Sequence, residues 1–229
     1  MLIDDKYAEA VIERWYDLRG KMGWYHAPRH VRKVLVWLND AQARDPRLPD
    51  SVEFALEYAA LYHDAVYVPG SQDNEKRSAE EALRDAGTLE LEDWQRKVVE
   101  HLILSTDPER FLGAAQVDMS WLERLPVKPE DWWLAHDRLH DADWWSFHNI
   151  AEMKEAEIGL MKEAREAAVT LFGPDCDRQT VALKGRLAFL ERILAKEPAI
   201  FKTRPEYNEQ ALLNIRHARD GIEAQLEDL

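Results

Sequence analysis

Apolar residues recur at spacings of three and four along most of this chain, as in helices that bury one face. The segments that show this spacing lie near 7–19, 30–38, 52–66, 78–86, 92–105, 131–150, 151–172, 178–196 and 207–227. Glycine and proline fall between them, for example at Pro69-Gly70 and Gly173-Pro174, where helices are expected to end. No stretch alternates β-branched residues between hairpin turns. The pattern predicts an all-α fold, a compact bundle of about eight or nine helices.

The chain length sets the domain organisation that we expect. Its 229 residues are enough for one large domain with its own core. The sequence contains no internal repeat and no flexible linker, so residues 1–229 are predicted to form a single domain. As an alternative, the last helices, over about 177–229, could form a C-terminal extension.

Composition restricts the location and the partners of the protein. The formal net charge of -14 disfavours binding to a nucleic-acid polymer or to an anionic membrane surface. The single cysteine, Cys176, excludes an internal disulfide and fits a reducing compartment. No apolar run approaches the roughly 20 residues that span a bilayer, and the first residues lack the pattern of a signal peptide. We therefore expect a cytoplasmic protein without a membrane partner.

Histidine and aspartate stand close together near the ends of two predicted helices. His63-Asp64 follows the apolar run 54–62, and His26 and His30 lie earlier, one helical turn apart. Imidazole and carboxylate bind divalent metals, and the partial negative charge of a helix C-terminus favours a cation. The alternative is a core histidine that is bonded to a backbone carbonyl. That alternative is less favourable for His63, because a buried Asp64 carboxylate needs a cation or several donors.

A further carboxylate ligand is expected from the segment 135–145. If this segment is helical, Asp143 shares one face with His136 and His140, whereas Asp141 points elsewhere. Asp143 is therefore the candidate fourth ligand, with the two histidines near the same cleft. The segment repeats the His-Asp dipeptide twice, so the dipeptide alone is a weak signal.

The loop at 68–75 leads into a predicted helix with Asn74 as its N-cap. Glu75 has two interpretations, and the residue chemistry alone favours neither of them clearly. It could interact with the helix dipole, which is worth about 0.3–1 kcal/mol, or it could orient or deprotonate a metal-bound water. Ser78 lies one turn later and could donate a hydrogen bond to a substrate phosphate.

Four motifs occur in a fixed order: Tyr25-His26-x-x-x-His30, Ala60-x-x-His63-Asp64-x-x-Tyr67, Asn74-Glu75-x-x-Ser78-Ala79 and Asp141-Ala142-Asp143. Together they resemble the HD-domain superfamily of metal-dependent phosphohydrolases, and most closely a bacterial branch of predicted hydrolases. The resemblance extends less specifically through Thr106 to Asn214. In that branch an arginine usually precedes the Tyr-His pair, whereas Lys21-Met-Gly-Trp24 stands here.

The resemblance implies an HD-type fold that holds one divalent cation, which could be Mn, Mg, Fe, Co, Ni or Zn. The implied metal ligands are His30, His63, Asp64 and Asp143. The implied catalytic residues are Glu75, which would activate or orient water, and Asp64. The implied substrate contacts are His26, Asn74, Ser78 and Thr106. Arg138, or a basic residue of the helix at 29–33, is our candidate for holding the phosphate.

The predicted function is metal-assisted hydrolysis of a phosphomonoester or phosphodiester. The expected substrate is a nucleotide or another small phosphorylated metabolite. A non-catalytic module that binds metal and nucleotide would instead show thermal stabilisation by ligand without turnover. A di-iron oxygenase would hold two irons and consume oxygen, and a purely structural protein would hold no stoichiometric metal. The sequence leaves a homodimer open.

Overall fold

The computed structural model describes residues 2–89, 91–108, 120–196 and 199–229. Within these ranges it is helical and contains no strand, which confirms the predicted all-α class. The ten helices of the described part are α1 (Asp5–Trp15), α2 (Asp17–Met22), α3 (Pro28–Arg44), α4 (Asp50–Tyr62), α5 (Asn74–Asp85), α6 (Asp93–Leu104), α7 (Pro129–Asp143), α8 (Ile150–Phe172), α9 (Arg178–Lys196) and α10 (Asn208–Glu227). Short 3-10 turns lie at Ala86–Thr88, Leu122–Arg124, Trp145–His148 and Pro205–Tyr207. No described helix combines the length and apolarity needed to span a membrane.

Helices α3, α4 and α7 carry the side chains of the candidate site. Pro28 is the first residue of α3, where its fixed φ suits a helix and no hydrogen bond is lost. Helix α4 is buried over most of its surface because α3, α5, α6 and α7 all pack against it. The C-terminal ends of α4 and α7 meet the first turn of α3. Nε2 of His30 lies 3.1 Å from Nε2 of His63 and 3.1 Å from Oδ1 of Asp143, and these two atoms are 3.5 Å apart.

Buried side chains form two groups. The larger lies among α1 to α7, and the smaller lies among α8, α9, α10 and the aromatic residues Trp144 and Phe147. Trp37 of α3 packs against both groups. Polar contacts also connect them, because the Asp141 carboxylate accepts hydrogen bonds of 2.7 Å from the backbone N–H groups of Lys202 and Thr203. Residues after 199 are therefore anchored to α3 and α7.

Three helices end before the periodic pattern predicts. The segment 7–19 divides at Tyr16 into α1 and α2, and the segment 52–66 leaves the helix at Tyr62, with His63 as its C-cap. The segment 131–150 breaks after Asp143, where a 3-10 turn replaces the helix. This turn sends Trp145 into the larger core and its neighbour Trp144 into the smaller one, which explains the break.

Candidate metal centre

Four side chains from three helix ends converge on one point. The Nε2 atom of His30 lies 3.1 Å from Nε2 of His63 and 3.1 Å from Oδ1 of Asp143. Oδ2 of Asp64 lies 3.1 Å from Nε2 of His63 and 3.5 Å from Nε2 of His30. All four potential ligand atoms lie within 4.8 Å of one another. Adjacent ligands that bind one ion at about 2.1 Å are about 3.0–3.4 Å apart, so the cluster could hold a single metal ion.

The orientation of His63 is fixed by the end of its own helix. Its Nδ1–H donates a 2.7 Å hydrogen bond to the carbonyl oxygen of Ala60. In the neutral ring this leaves the lone pair of Nε2 directed at the cluster, which is the usual arrangement of a metal-binding histidine. His63 is therefore both a core histidine bonded to a carbonyl and a candidate ligand, so the two interpretations of the sequence are compatible.

The ligand atoms of the cluster are arranged to bind a cation rather than to form hydrogen bonds with one another. Oδ2 of Asp64 is buried, and no donor among the described residues is aligned on it, although His63 Nε2 is 3.1 Å away. When His63 is neutral, its one ring proton is donated from Nδ1 to Ala60, so Nε2 of His63 and Oδ2 of Asp64 face each other as two acceptors. An unsatisfied buried carboxylate oxygen is costly, and a cation coordinated by both atoms removes that cost.

Electrostatics within the cluster also favour a cation. Burial lowers the pKa of His30. Burial acts in the same direction on His63, but the charges of Asp64 and Asp143 outweigh it and raise the pKa of His63 well above its usual range. Without a metal the cluster therefore favours a proton on His63, and a bound metal ion would replace that proton. Burial would raise the pKa of Asp64 and Asp143, yet the neighbouring histidines hold the pKa of both carboxyls well below its usual range. Both carboxylates are therefore ionised, and they supply two negative charges at the cluster.

The cluster opens into a cavity of about 630 Å³, which we call the site cavity. Its described lining is His26, Asp64, Tyr67, Gly70, Ser71, Gln72, Asn74, Glu75, Thr106, Asp107, Pro108, Asp143 and Phe189. Burial, together with the negative charge of Asp64, raises the pKa of Glu75 to about 6. No lysine or arginine occurs among these lining residues, so the described part of the cavity wall is acidic.

His26 is held beside the cluster by Glu163, a residue that the sequence analysis missed. The buried Glu163 carboxylate accepts a 2.7 Å hydrogen bond from His26 Nδ1 and a 2.9 Å bond from the His26 backbone N–H. The other ring nitrogen, Nε2, lies 4.0 Å from Oδ2 of Asp64, and the ring stacks on Tyr67 with centroids 4.0 Å apart. Burial lowers the pKa of His26, but the charges of Glu163 and Asp64 outweigh this effect and raise it.

A close approach of α8 to the residues before α3 brings Glu163 to His26. Gly159 contacts this segment, and a Cβ atom there would lie 2.6 Å from the backbone nitrogen of Tyr25. Glu163 follows one turn later on the same face, in line with the buried Ala156 and Gly159. A carboxylate that shares a buried helix face with small residues is unusual, and this was the signal in the sequence that could have identified Glu163.

Asn74 and Ser78 bind the backbone of the loop that follows His63-Asp64. The Asn74 side chain accepts a hydrogen bond from Val68 N–H (2.8 Å) and donates one to Val68 O (3.1 Å). The Ser78 hydroxyl accepts from Val66 N–H (3.0 Å) and donates to Val66 O (3.1 Å). Asp73, not Asn74, is the N-cap of α5, so that prediction was wrong. Both side chains are positioned to shape the loop and are already committed to it.

Thr106 reaches the site cavity, whereas Arg138 does not. Thr106 donates through Oγ1 to the carbonyl of Ile103 (2.8 Å) and lines the cavity. Arg138 is fully buried and donates to Glu53 Oε2 (3.0 Å) and to Pro46 O (2.6 Å). Arg138 precedes Asp143 by five residues, which rotates it about 140° around α7, away from the cluster. The predicted phosphate contact of Arg138 is therefore corrected to a structural ion pair.

His136 and His140 share a face with Asp143, as predicted, but neither joins the cluster. The Nε2–H of His140 donates to the carbonyl of Ile200 (2.9 Å), and Nδ1 of His136 is bonded to Asp137 (2.9 Å). His136 is seven residues before Asp143, about 10 Å along the helix axis, which is too far for a shared ion.

The arrangement provides one cation-binding cluster with a carboxylate in the adjoining wall. The two histidines are fully buried, whereas Asp64 and Asp143 are partly exposed towards the cavity, so the accessible side of the cluster faces it. Catalytic metal sites keep such an open side for water or substrate. Comparisons with protein-family models, with curated proteins and with solved structures found no match for this chain.

Proposed function

We propose that this chain is a metal-dependent phosphohydrolase of the HD type. The observation that carries the proposal is the four-ligand cluster, in which the buried Asp64 Oδ2 has no aligned donor among the described residues and which has a cavity at its open side. The ordered motifs that resemble the HD-domain superfamily support it. In this proposal His30, His63, Asp64 and Asp143 hold one divalent cation.

A divalent cation held there would lower the pKa of a bound water and neutralise negative charge on a phosphoryl group. Glu75 lines the same cavity, and its pKa of about 6 lies close to neutral pH, where a carboxylate serves well as a general base. We assign Glu75 as the group that accepts the proton from the attacking water. Thr106 and the amide of Gln72 provide neutral hydrogen-bonding groups on the cavity wall.

The charge of the cavity bears on the substrate class. Asp107 and Glu75 add to the two ligand carboxylates, and the described lining has no lysine or arginine to oppose them. A phosphomonoester carries close to two negative charges at neutral pH, because its second pKa is about 6. A phosphodiester carries one. We therefore favour a phosphodiester, which is repelled less by the acidic wall.

The test compares two His-Asp pairs of the same chain. Asp64→Ala removes a cluster ligand, and Asp137→Ala is the matched control, because Asp137 also follows a histidine but lies outside the cluster. Each protein is supplied in turn with Mn, Mg, Fe, Co, Ni or Zn, dialysed and analysed for metal per chain. Hydrolysis of bis-p-nitrophenyl phosphate and p-nitrophenyl phosphate is then measured.

We expect the wild type and Asp137→Ala to retain about one metal per chain and to hydrolyse the diester. Asp64→Ala is expected to lose both properties while keeping its helical circular dichroism. Unchanged metal content in Asp64→Ala would refute the cluster as the metal site. Retained metal without hydrolysis of either ester in any metal form would favour the non-catalytic binding module.

A further inference from the structure

A second cavity of about 760 Å³ lies between α8 and α9, and we call it the apolar cavity. Helix α8 contributes Leu160, Ala164 and Ala168 to its wall, and α9 contributes Val181 and Phe189. Its volume is within the 300–1,000 Å³ range of pockets that enclose small ligands. Alanines on α8 create the space, because larger side chains there would fill it.

The apolar cavity and the site cavity share part of their walls. Tyr67 and Phe189 line both. Glu163 lines the apolar cavity and, through its carboxylate, binds His26, which lines the site cavity. A molecule that lies across Tyr67 and Phe189 would therefore contact the acidic space at one end and the apolar space at the other.

Two large apolar side chains at the end of α8 are exposed beside the apolar cavity. Leu171 is 59% exposed and Phe172 is 66% exposed, and both line the cavity. These two side chains extend the apolar wall of the cavity to the protein surface.

Three charged residues also line the cavity, but Arg186 is paired with Glu157, Glu163 is paired with His26, and Lys184 is exposed to solvent. A polar ligand group would lose hydrogen bonds to water against the remaining apolar wall, so we expect an apolar group there.

We propose that the apolar cavity binds an alkyl substituent of the phosphate ester whose phosphoryl group lies in the site cavity. This inference rests on the proposed function. It restricts the expected substrate to an amphiphilic phosphodiester. The two cavities adjoin at Tyr67 and Phe189, and we therefore assign the substrate as the occupant rather than a second copy of the chain or a bound helix.

The test measures how affinity depends on alkyl length. Dimethyl, methyl butyl and methyl octyl phosphate are titrated by calorimetry into the metal-loaded Glu75→Gln protein, in which turnover is not expected. The octyl ester is kept below the concentration at which it forms micelles. Hydrolysis of the corresponding alkyl p-nitrophenyl diesters is followed in the wild type. Burial of only three methylenes would tighten binding about sixtyfold, since each contributes about fourfold.

We expect the octyl diester to bind at least about tenfold more tightly than the dimethyl diester. Ala164→Trp, which fills the apolar cavity, is expected to reduce this ratio to about one. Ala151→Trp is the matched control on the same helix, at an exposed position outside the cavity, and it should keep the ratio of the parent protein. Because the ratio is first measured without a cavity substitution, the inference stays testable even if Ala164→Trp folds poorly.

The outcomes separate this inference from the proposed function. Equal affinities for all three chain lengths would overturn the inference, whether or not the diesters are hydrolysed. Tighter octyl binding without any hydrolysis would support the apolar cavity and count against the phosphohydrolase. If Ala164→Trp changes the sedimentation coefficient but leaves the ratio unchanged, the cavity is a contact between copies of the chain and the inference is wrong.

Discussion

Gly159→Ala tests whether the close approach of α8 holds His26 in place. A Cβ atom at position 159 would lie 2.6 Å from the backbone nitrogen of Tyr25 and 2.9 Å from its Cα. Ordinary contacts of a Cβ atom begin at 3.4 Å, so the two backbones must separate by about 0.8 Å. The neighbouring atoms are backbone, which cannot move aside as a flexible side chain can.

The energetic cost follows from two effects. Overpacking of this kind costs about 1–3 kcal/mol. A displacement of about 0.8 Å could also stretch the 2.7 Å bond from His26 Nδ1 to Glu163 to about 3.5 Å, the outer limit of a hydrogen bond, and bonds to a charged group contribute about 1.5–3 kcal/mol. Replacing glycine by alanine within a helix returns up to about 1 kcal/mol. The free energy of unfolding should therefore fall by about 1.5–6 kcal/mol.

Urea unfolding at neutral pH, followed by circular dichroism, measures this change. Gly221→Ala is the control, because Gly221 is also helical but a Cβ atom there meets nothing within 4 Å. The control should be more stable than the wild type by about 0.5–1 kcal/mol. If Gly159→Ala is as stable as Gly221→Ala, the close approach of α8 does not constrain the His26 segment and the argument fails.

Two further predictions concern Arg138 and Glu75. Arg138→Met should lower the free energy of unfolding by about 3–5 kcal/mol, because it leaves the buried Glu53 without its cation, and metal content per folded chain should not change. Reduced activity at unchanged stability would restore Arg138 as a substrate contact. With the metal held at saturation, hydrolysis should increase as pH rises through about 6 and decrease below it, since protonated Glu75 cannot accept a proton. Glu75→Gln should lose most of the activity and this pH dependence, and a variant that keeps the wild-type profile would exclude Glu75 as the base.

The sequence predicted the helices because their signal is local. Apolar residues at three and four spacing report a buried helix face within any window of about 11–18 residues, wherever the helix later packs. The helix ends were predicted less well. The break after Asp143 depends on Trp144 and Trp145 entering different cores, which the local pattern of 131–150 does not contain. The break also places Asp143 at a helix end.

The site shows the same division between local and distant information. His30, His63, Asp64 and Asp143 could be named from the sequence through their order and spacing, and the structure brings their ligand atoms together. Glu163 was not named, because nothing in the sequence near it identifies its partner His26, which is 137 residues away. The expectation for Arg138 failed for the same reason, since its partner Glu53 lies 85 residues earlier.

By itself, then, the sequence determined the all-α class and the set of four metal-ligand candidates. The class depends on short spacing, and the four candidates depend on residue type, on helix-face spacing and on the resemblance of the ordered motifs, all of which the chain carries whatever its fold. Only the tertiary structure decided which polar side chains serve the site and which serve the core: it committed Asn74 and Ser78 to a loop, Arg138 to Glu53, and Glu163 to His26. The physical reason is that a buried polar group must be satisfied by whatever the packing of distant helices brings within about 3 Å.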